Sequence, residues 1–131
     1  MTKYFEINGE EIELKITWEG AKRLNEHFGG GEAGALAVVG KALEGDLDTI
    51  PKVIQAATLH TGKRLPLTVI EKEISTKVDA EELDLYDLMV TVKEVVADSF
   101  FYKRAKDKMM TMVEGNEEQV KALESFYEVS E

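Results

Sequence analysis

From Phe5 to Thr17 apolar and polar residues alternate, and the alternation is interrupted once, by Asn8-Gly9. Asn-Gly between two alternating runs is the strongest short-range mark of a two-residue β-hairpin turn. Pairing Ile7 with Glu10 sets Phe5 opposite Ile12 and Lys3 opposite Leu14. One face then holds Phe5, Ile7, Ile12, Leu14 and Ile16, while Glu6, Glu11, Glu13 and Lys15 face water. Two strands alone are marginal, so the apolar face must lie on helices or on another chain's sheet. The strand edges also offer unpaired backbone groups to a partner strand.

After Thr17 the period changes to that of a helix. Thr17 reads as an N-cap, with Trp18, Ala21, Leu24 or Asn25, and Phe28 at helical spacing and Gly29 able to end the run. A second helix, roughly Ala33 to Leu43, groups Leu36, Val39 and Leu43 and closes at Gly45. Asp46 or Asp48 caps a third, in which Pro51 is tolerated in the first turn and Ile50, Val53, Ile54 and Ala57 face inward. Thr61-Gly62 stops it, and Lys63 to Leu67 is an extended connection. Thr68 with Glu71 has the spelling of a capping box and predicts a short helix with Ile70 and Ile74 inside.

The stretch from Asp79 to Met112 has no Gly or Pro. As one helix it would be ~50 Å long, whereas a compact chain of this size is only ~30–35 Å across. It therefore either breaks near Ser99–Tyr102 or projects beyond the body. Asp79-Ala80-Glu81-Glu82 resembles a capping box at its start. Leu85, Leu88, Met89, Val92, Val95, Val96 and Ser99 share one broad apolar face. Asp84, Asp87, Thr91, Glu94 and Asp98 form an acidic stripe opposite, expected to be solvated. Leu83, Tyr86, Val90, Ala97 and Phe101 make a further apolar strip, so contacts on two sides are expected. Lys103 and Lys106 continue the main face past Ser99, and core burial is expected to stop there. Phe100, Phe101, Tyr102, Met109, Met110 and Met112 remain, mixed with Arg104 and lysines. They can cap the core, with the cations suiting a helix C-terminus. They can also form a partner surface, where aromatics, Met and Arg are enriched. Past Glu114-Gly115-Asn116, residues Glu117 to Tyr127 can form a last short helix or a frayed tail.

The expected fold is thus α+β and mostly α: an N-terminal antiparallel hairpin packed on a bundle of about five to six helices. It spans residues 1–113, with an acidic segment over 114–131. The 131 residues suit one modest core, and 44% apolar with 32% charged residues is the composition of a folded chain. The net charge of −10 repels nucleic-acid backbones and anionic membrane surfaces. Cysteine is absent, which excludes disulfide and thiolate chemistry and fits a reducing compartment. The opening MTKYFEINGE has no apolar signal core, and no apolar run reaches the ~18 residues of a membrane helix. These features predict a protein made and used inside the cell, without nucleic acid or membrane as partner.

Candidate chemistry is thin. Gly29, Gly31 and Gly34 match the spelling G-x-G-x-x-G, but that fingerprint needs a strand before it, inside a parallel sheet. Here a helix precedes it, so the segment reads as a flexible joint. His27 and His60 lack the paired spacing of a metal site, and neither sits beside a serine and a positioned acid. The carboxylate pairs look like solvated faces. No catalytic residue, cofactor or metal is expected, and the chain is not expected to be an enzyme.

The order of elements resembles the small tail assembly chaperones of long-tailed, siphovirus-type bacteriophages and prophages. The resemblance is carried by the Tyr4-Phe5-Glu6-Ile7-Asn8-Gly9-Glu10 hairpin and the turn into Thr17-Trp18-Glu19-Gly20-Ala21-Lys22-Arg23-Leu24. Thr58-Leu59-His60-Thr61-Gly62 and Leu67-Thr68-Val69-Ile70 add to it, and it covers about the first hundred residues. It implies a non-catalytic role in the host cytoplasm: binding the tape-measure protein, keeping that long helical chain soluble, and helping recruit tail-tube subunits. It implies self-association too, and this chain would match the shorter of two products made by programmed frameshifting. No signature residue carries those roles. The protein-binding candidates Phe100, Phe101, Tyr102, Arg104, Met109, Met110 and Met112 come from their mix of aromatics and cations. The competing expectation is an acidic inhibitor that mimics nucleic acid through the Asp84–Asp98 stripe.

Overall fold

The computed structural model describes residues 2–112, and within α6 it leaves the side chains of Met110 and Met112 undescribed. The expected helix at 117–127 and the acidic segment over 114–131 lie outside the described residues. Two strands, β1 (Lys3–Ile7) and β2 (Glu10–Leu14), are followed by six α-helices among the described residues. These are α1 (Trp18–Glu26), α2 (Gly31–Glu44), α3 (Thr49–Thr58), α4 (Leu67–Asp79), α5 (Leu85–Ala97) and α6 (Lys103–Met112). The fold is α+β and mostly helical.

The hairpin has the register that its alternation dictates, with Ile7 opposite Glu10, Phe5 opposite Ile12 and Lys3 opposite Leu14. Asn8 and Gly9 both take left-handed backbone, at φ 52° and 79°, as a turn matching the strand twist requires. All five inward residues, Phe5, Ile7, Ile12, Leu14 and Ile16, are buried. The face lies on helices of the same chain, and polar contacts at its edges help pin it there. The Lys15 N–H donates to the Ala57 carbonyl at 2.9 Å, His60 Nε2 donates to the Glu13 carbonyl at 2.8 Å, and Lys3 pairs with Glu94 of α5.

The centre of the body is α3. β2, α1, α2, α4 and α5 all pack against it, and Ile50, Val53, Ile54, Ala56 and Ala57 are buried along it. Of its two candidate caps Asp46 serves: its Oδ2 accepts from the Thr49 N–H at 3.1 Å and from the Thr49 hydroxyl at 2.7 Å. Helix α1 approaches α3 so closely that a Cβ on Gly20 would lie 2.6 Å from the Ala56 carbonyl oxygen. Only a residue without a side chain allows that contact.

Two helix starts differ from the sequence expectation. Thr68 is not a cap: α4 begins at Leu67 behind Pro66 and runs for 13 residues, so it is not short. Asp79 does not open a helix but closes α4. Glu81 takes the left-handed conformation at φ 60°. The Glu82 N–H then bonds to the Lys77 carbonyl and the Glu81 N–H to the Val78 carbonyl, the paired bonds of a Schellman ending. The cap of α5 is Asp84, whose Oδ1 accepts from the Asp87 N–H at 3.1 Å.

The Asp79–Met112 stretch breaks where its length requires. Ser99 Oγ accepts from the Phe101 N–H at 3.3 Å, opening a 3₁₀ turn over Phe100–Tyr102 before α6 starts. Burial does not stop at Ser99, contrary to the expectation drawn from Lys103 and Lys106. Tyr102, Ala105 and Lys106 are buried. Lys106 can go inside because its stem lies along apolar surface and its Nζ donates to the Ala97 carbonyl, one of the last carbonyls of α5. Burial lowers its pKa, an effect opposed by Asp98 and Asp107.

Candidate functional site

The turn at the break sorts three consecutive aromatics. Tyr102 points inward and is 0% exposed. Its hydroxyl donates to Asn25 Oδ1 at 2.7 Å and lies 3.4 Å from the Ala21 carbonyl of α1. Desolvation raises its pKa. Tyr102 is therefore a core residue and not part of a contact surface. Phe100 and Phe101 point the other way, 85% and 39% exposed. A 3₁₀ turn sets successive side chains about a third of a revolution apart, so three neighbours cannot share one environment.

Trp18, 71% exposed, joins the two phenylalanines. The Trp18 and Phe101 ring centroids are 6.2 Å apart and those of Phe100 and Phe101 6.1 Å apart, the latter edge to face, within the range of favourable ring pairs. Helical spacing groups Trp18 on one face with Ala21 and Leu24, both of which are buried. As the first residue after the Thr17 cap it instead clears the end of that face. Its signal in the sequence was its position, not its period.

Two clefts flank this ridge, and Phe101 lines both. One reaches the end of the hairpin past Lys15, Ile16 and Asp98. The other runs between α2 and α6 over Ala35, Leu36 and Ala105. Arg104 is exposed and lines the second cleft, where Lys108 pairs with Glu32 of α2. Met109 is half-buried against the core and does not stand on the ridge. The structure thus brings Phe100, Phe101 and Arg104 to one region, adds Trp18, and removes Tyr102; the side chains of Met110 and Met112 lie outside what is described.

Within the acidic stripe Asp84, Asp87 and Asp98 are exposed, as expected, but the row is not uniform. Glu94 is partly covered and paired with Lys3, and Asp84 caps its own helix. Mimicry of a nucleic-acid backbone needs regularly displayed charge, and the row is interrupted. Gly29 and Gly30 lie in the connection after α1, while Gly31 and Gly34 are already in the first turn of α2. Among the described residues no group of three or more His, Cys, Asp or Glu could hold a metal ion, and no helix is long and apolar enough to cross a membrane.

The fold is a small hairpin-and-helix body that hides most of its apolar residues and displays the rings of Trp18, Phe100 and Phe101. The chain belongs to the phage tail assembly chaperone family, whose model matches residues 4–111. No curated protein and no solved structure matches it. Membership accounts for tail assembly as the setting and for tail proteins as the general class of partner.

Proposed function

We propose that this chain is a non-catalytic chaperone of tail assembly, acting in the host cytoplasm, that binds the tape-measure protein and helps bring tail-tube subunits to it. The observation that carries the reading is the ridge formed by Trp18, Phe100 and Phe101. Contiguous exposed aromatics mark interaction surfaces, and rings with few rotatable bonds lose little entropy when covered. A long helical client can lay an apolar face along either flanking cleft. The same ridge serves self-association, and no cofactor is invoked.

The test is co-expression with a tape-measure protein, reading how much client stays in the supernatant and co-purifies. Phe101→Asp is expected to abolish capture and any self-association while the helical circular dichroism stays unchanged. Phe100→Ser, at the most exposed ring, should weaken capture without touching the core. The contact should also survive ~0.5 M salt, where screening shortens to a few Å. Full capture by both variants would overturn the reading; capture lost to salt alone would favour the charge-driven alternative.

A further inference from the structure

A second apolar groove lies outside the aromatic ridge. Its floor comes from Ile50 on α3, Ile74 and Val78 on α4, and Leu85 at the start of α5, and it encloses about 280 Å³. Leu47, in the α2–α3 connection, stands at its lip 58% exposed. Its existence follows from how α4 packs. That helix is 13 residues long yet buries only Ile70, so Ile74 and Val78 are left half-covered beneath an open side. Another side of α4 is held to the hairpin, where Lys77 pairs with Glu6 of β1 and the Asn8 N–H donates to Glu73.

The polar rim has one sign. Glu71 and Asp79 are the charged residues that line the groove, and no Lys or Arg does. Outside the lining itself, Asp48 and Asp84 adjoin Leu47 and Leu85, and Lys52 and Lys72 adjoin Pro51 and Glu71. Among the described residues no cation pairs with Glu71, Asp79 or Asp48. Glu71 and Asp79 stand eight residues apart on α4, which places them about 12 Å apart along the helix, with Ile74 and Val78 between them.

We propose that this groove is a docking site for a cationic amphipathic helix of another protein. Its apolar side chains sit on Ile50, Ile74, Val78 and Leu85, and its lysines or arginines meet Glu71 and Asp79. The complementarity sets a spacing as well as a sign: cations about eight residues apart along the helix, bracketing an apolar pair. Burying the apolar pair supplies affinity, and the carboxylates orient the helix and reject acidic segments. The groove is separate from the aromatic ridge, so the inference does not rest on the role assigned to that ridge.

The experiment uses the full chain and a synthetic helical peptide carrying two leucines bracketed by lysines at that spacing, followed by fluorescence anisotropy. Two control peptides replace the lysines by glutamate or the leucines by serine. The cationic peptide should bind and both controls should fail. Glu71→Lys with Asp79→Lys should weaken binding about tenfold or more, and Leu47→Ser should weaken it several-fold. Phe100→Ser should leave it unchanged, which separates this site from the ridge. Glu11→Lys with Glu13→Lys makes the same change of net charge on the hairpin's solvent face and should also leave binding unchanged. Equal loss from the hairpin pair would show mere attraction to an acidic protein and overturn the proposal. Failure of the cationic peptide to bind the unmodified chain, or its undiminished binding to the Glu71/Asp79 double variant, would overturn it too.

Discussion

Phe5, Ile7, Ile12 and Leu14 on the hairpin and Phe100, Phe101 and Tyr102 in the turn before α6 are alike in apolar content and opposite in its fate. Every inward hairpin residue is buried. Of the aromatic trio, Tyr102 is fully covered while Phe100 is the most exposed large apolar residue among those described. The hairpin uses its apolar residues to build the body. The turn uses one ring for the body and leaves two outside it.

Stability measurements can break that contrast, and the largest effect should come from Tyr102→Ala. Removing a fully buried aromatic costs about 3–5 kcal/mol, a large share of the ~5–15 kcal/mol that holds a domain together. Phe100→Ser should change stability by no more than about 0.5 kcal/mol. Urea titrations of the two variants read both values. A loss at Phe100 comparable with that at Tyr102 would mean that the ridge is structural.

The hairpin was fully legible in the sequence because its signals are local: alternation sets the faces, and Asn8-Gly9 sets the register. The break before α6 was legible for a different reason, since the length of the Asp79–Met112 stretch demanded one. The direction of each aromatic was not legible. Tyr102 is drawn in by Asn25 and Ala21 of α1, far away in sequence, and no periodicity within the stretch encodes them. Charge normally marks surface, so Lys106 predicts a stop to burial, yet inside the fold its ammonium donates to a carbonyl at the end of α5. The acid-rimmed groove was invisible because Leu47, Ile74 and Leu85 belong to three separate segments.

Tyr102 also gives the contrast a pH signature of intermediate size. Burial holds its phenol neutral, with a pKa above the ordinary value of 10.0. Above pH ~10 the unfolded chain releases that proton and the folded chain does not. The folded state then binds more protons, so stability falls as pH rises, by up to ~1.4 kcal/mol per pH unit, and is unaffected below pH ~10. Lys106 acts in the opposite sense, because its lowered pKa makes stability rise toward the lysine range. The informative quantity is therefore the difference between the unmodified chain and Tyr102→Phe. That difference should be flat to pH ~10 and shrink beyond it; a difference independent of pH up to the alkaline limit would contradict the buried, neutral phenol.

The smallest effect concerns two of the places where the chain takes left-handed backbone. In the hairpin Gly9 takes φ 79°, and after α4 Glu81 takes φ 60°. Glycine enters that region without steric cost, whereas a residue with a side chain pays roughly 1–2 kcal/mol. The hairpin turn thus carries the residue its geometry favours, and the α4 ending does not. Both positions are solvent-exposed, and among the described residues the Glu81 carboxylate makes no ion pair or hydrogen bond that the substitution would remove. Gly9→Ala should destabilise by about 1 kcal/mol and Glu81→Gly should stabilise by about 0.5–1 kcal/mol, the glycine's greater freedom in the unfolded chain offsetting part of the relief. Paired thermal unfolding curves read the two signs directly. A loss of stability in Glu81→Gly would show that the end of α4 is held by something other than its Schellman bonds.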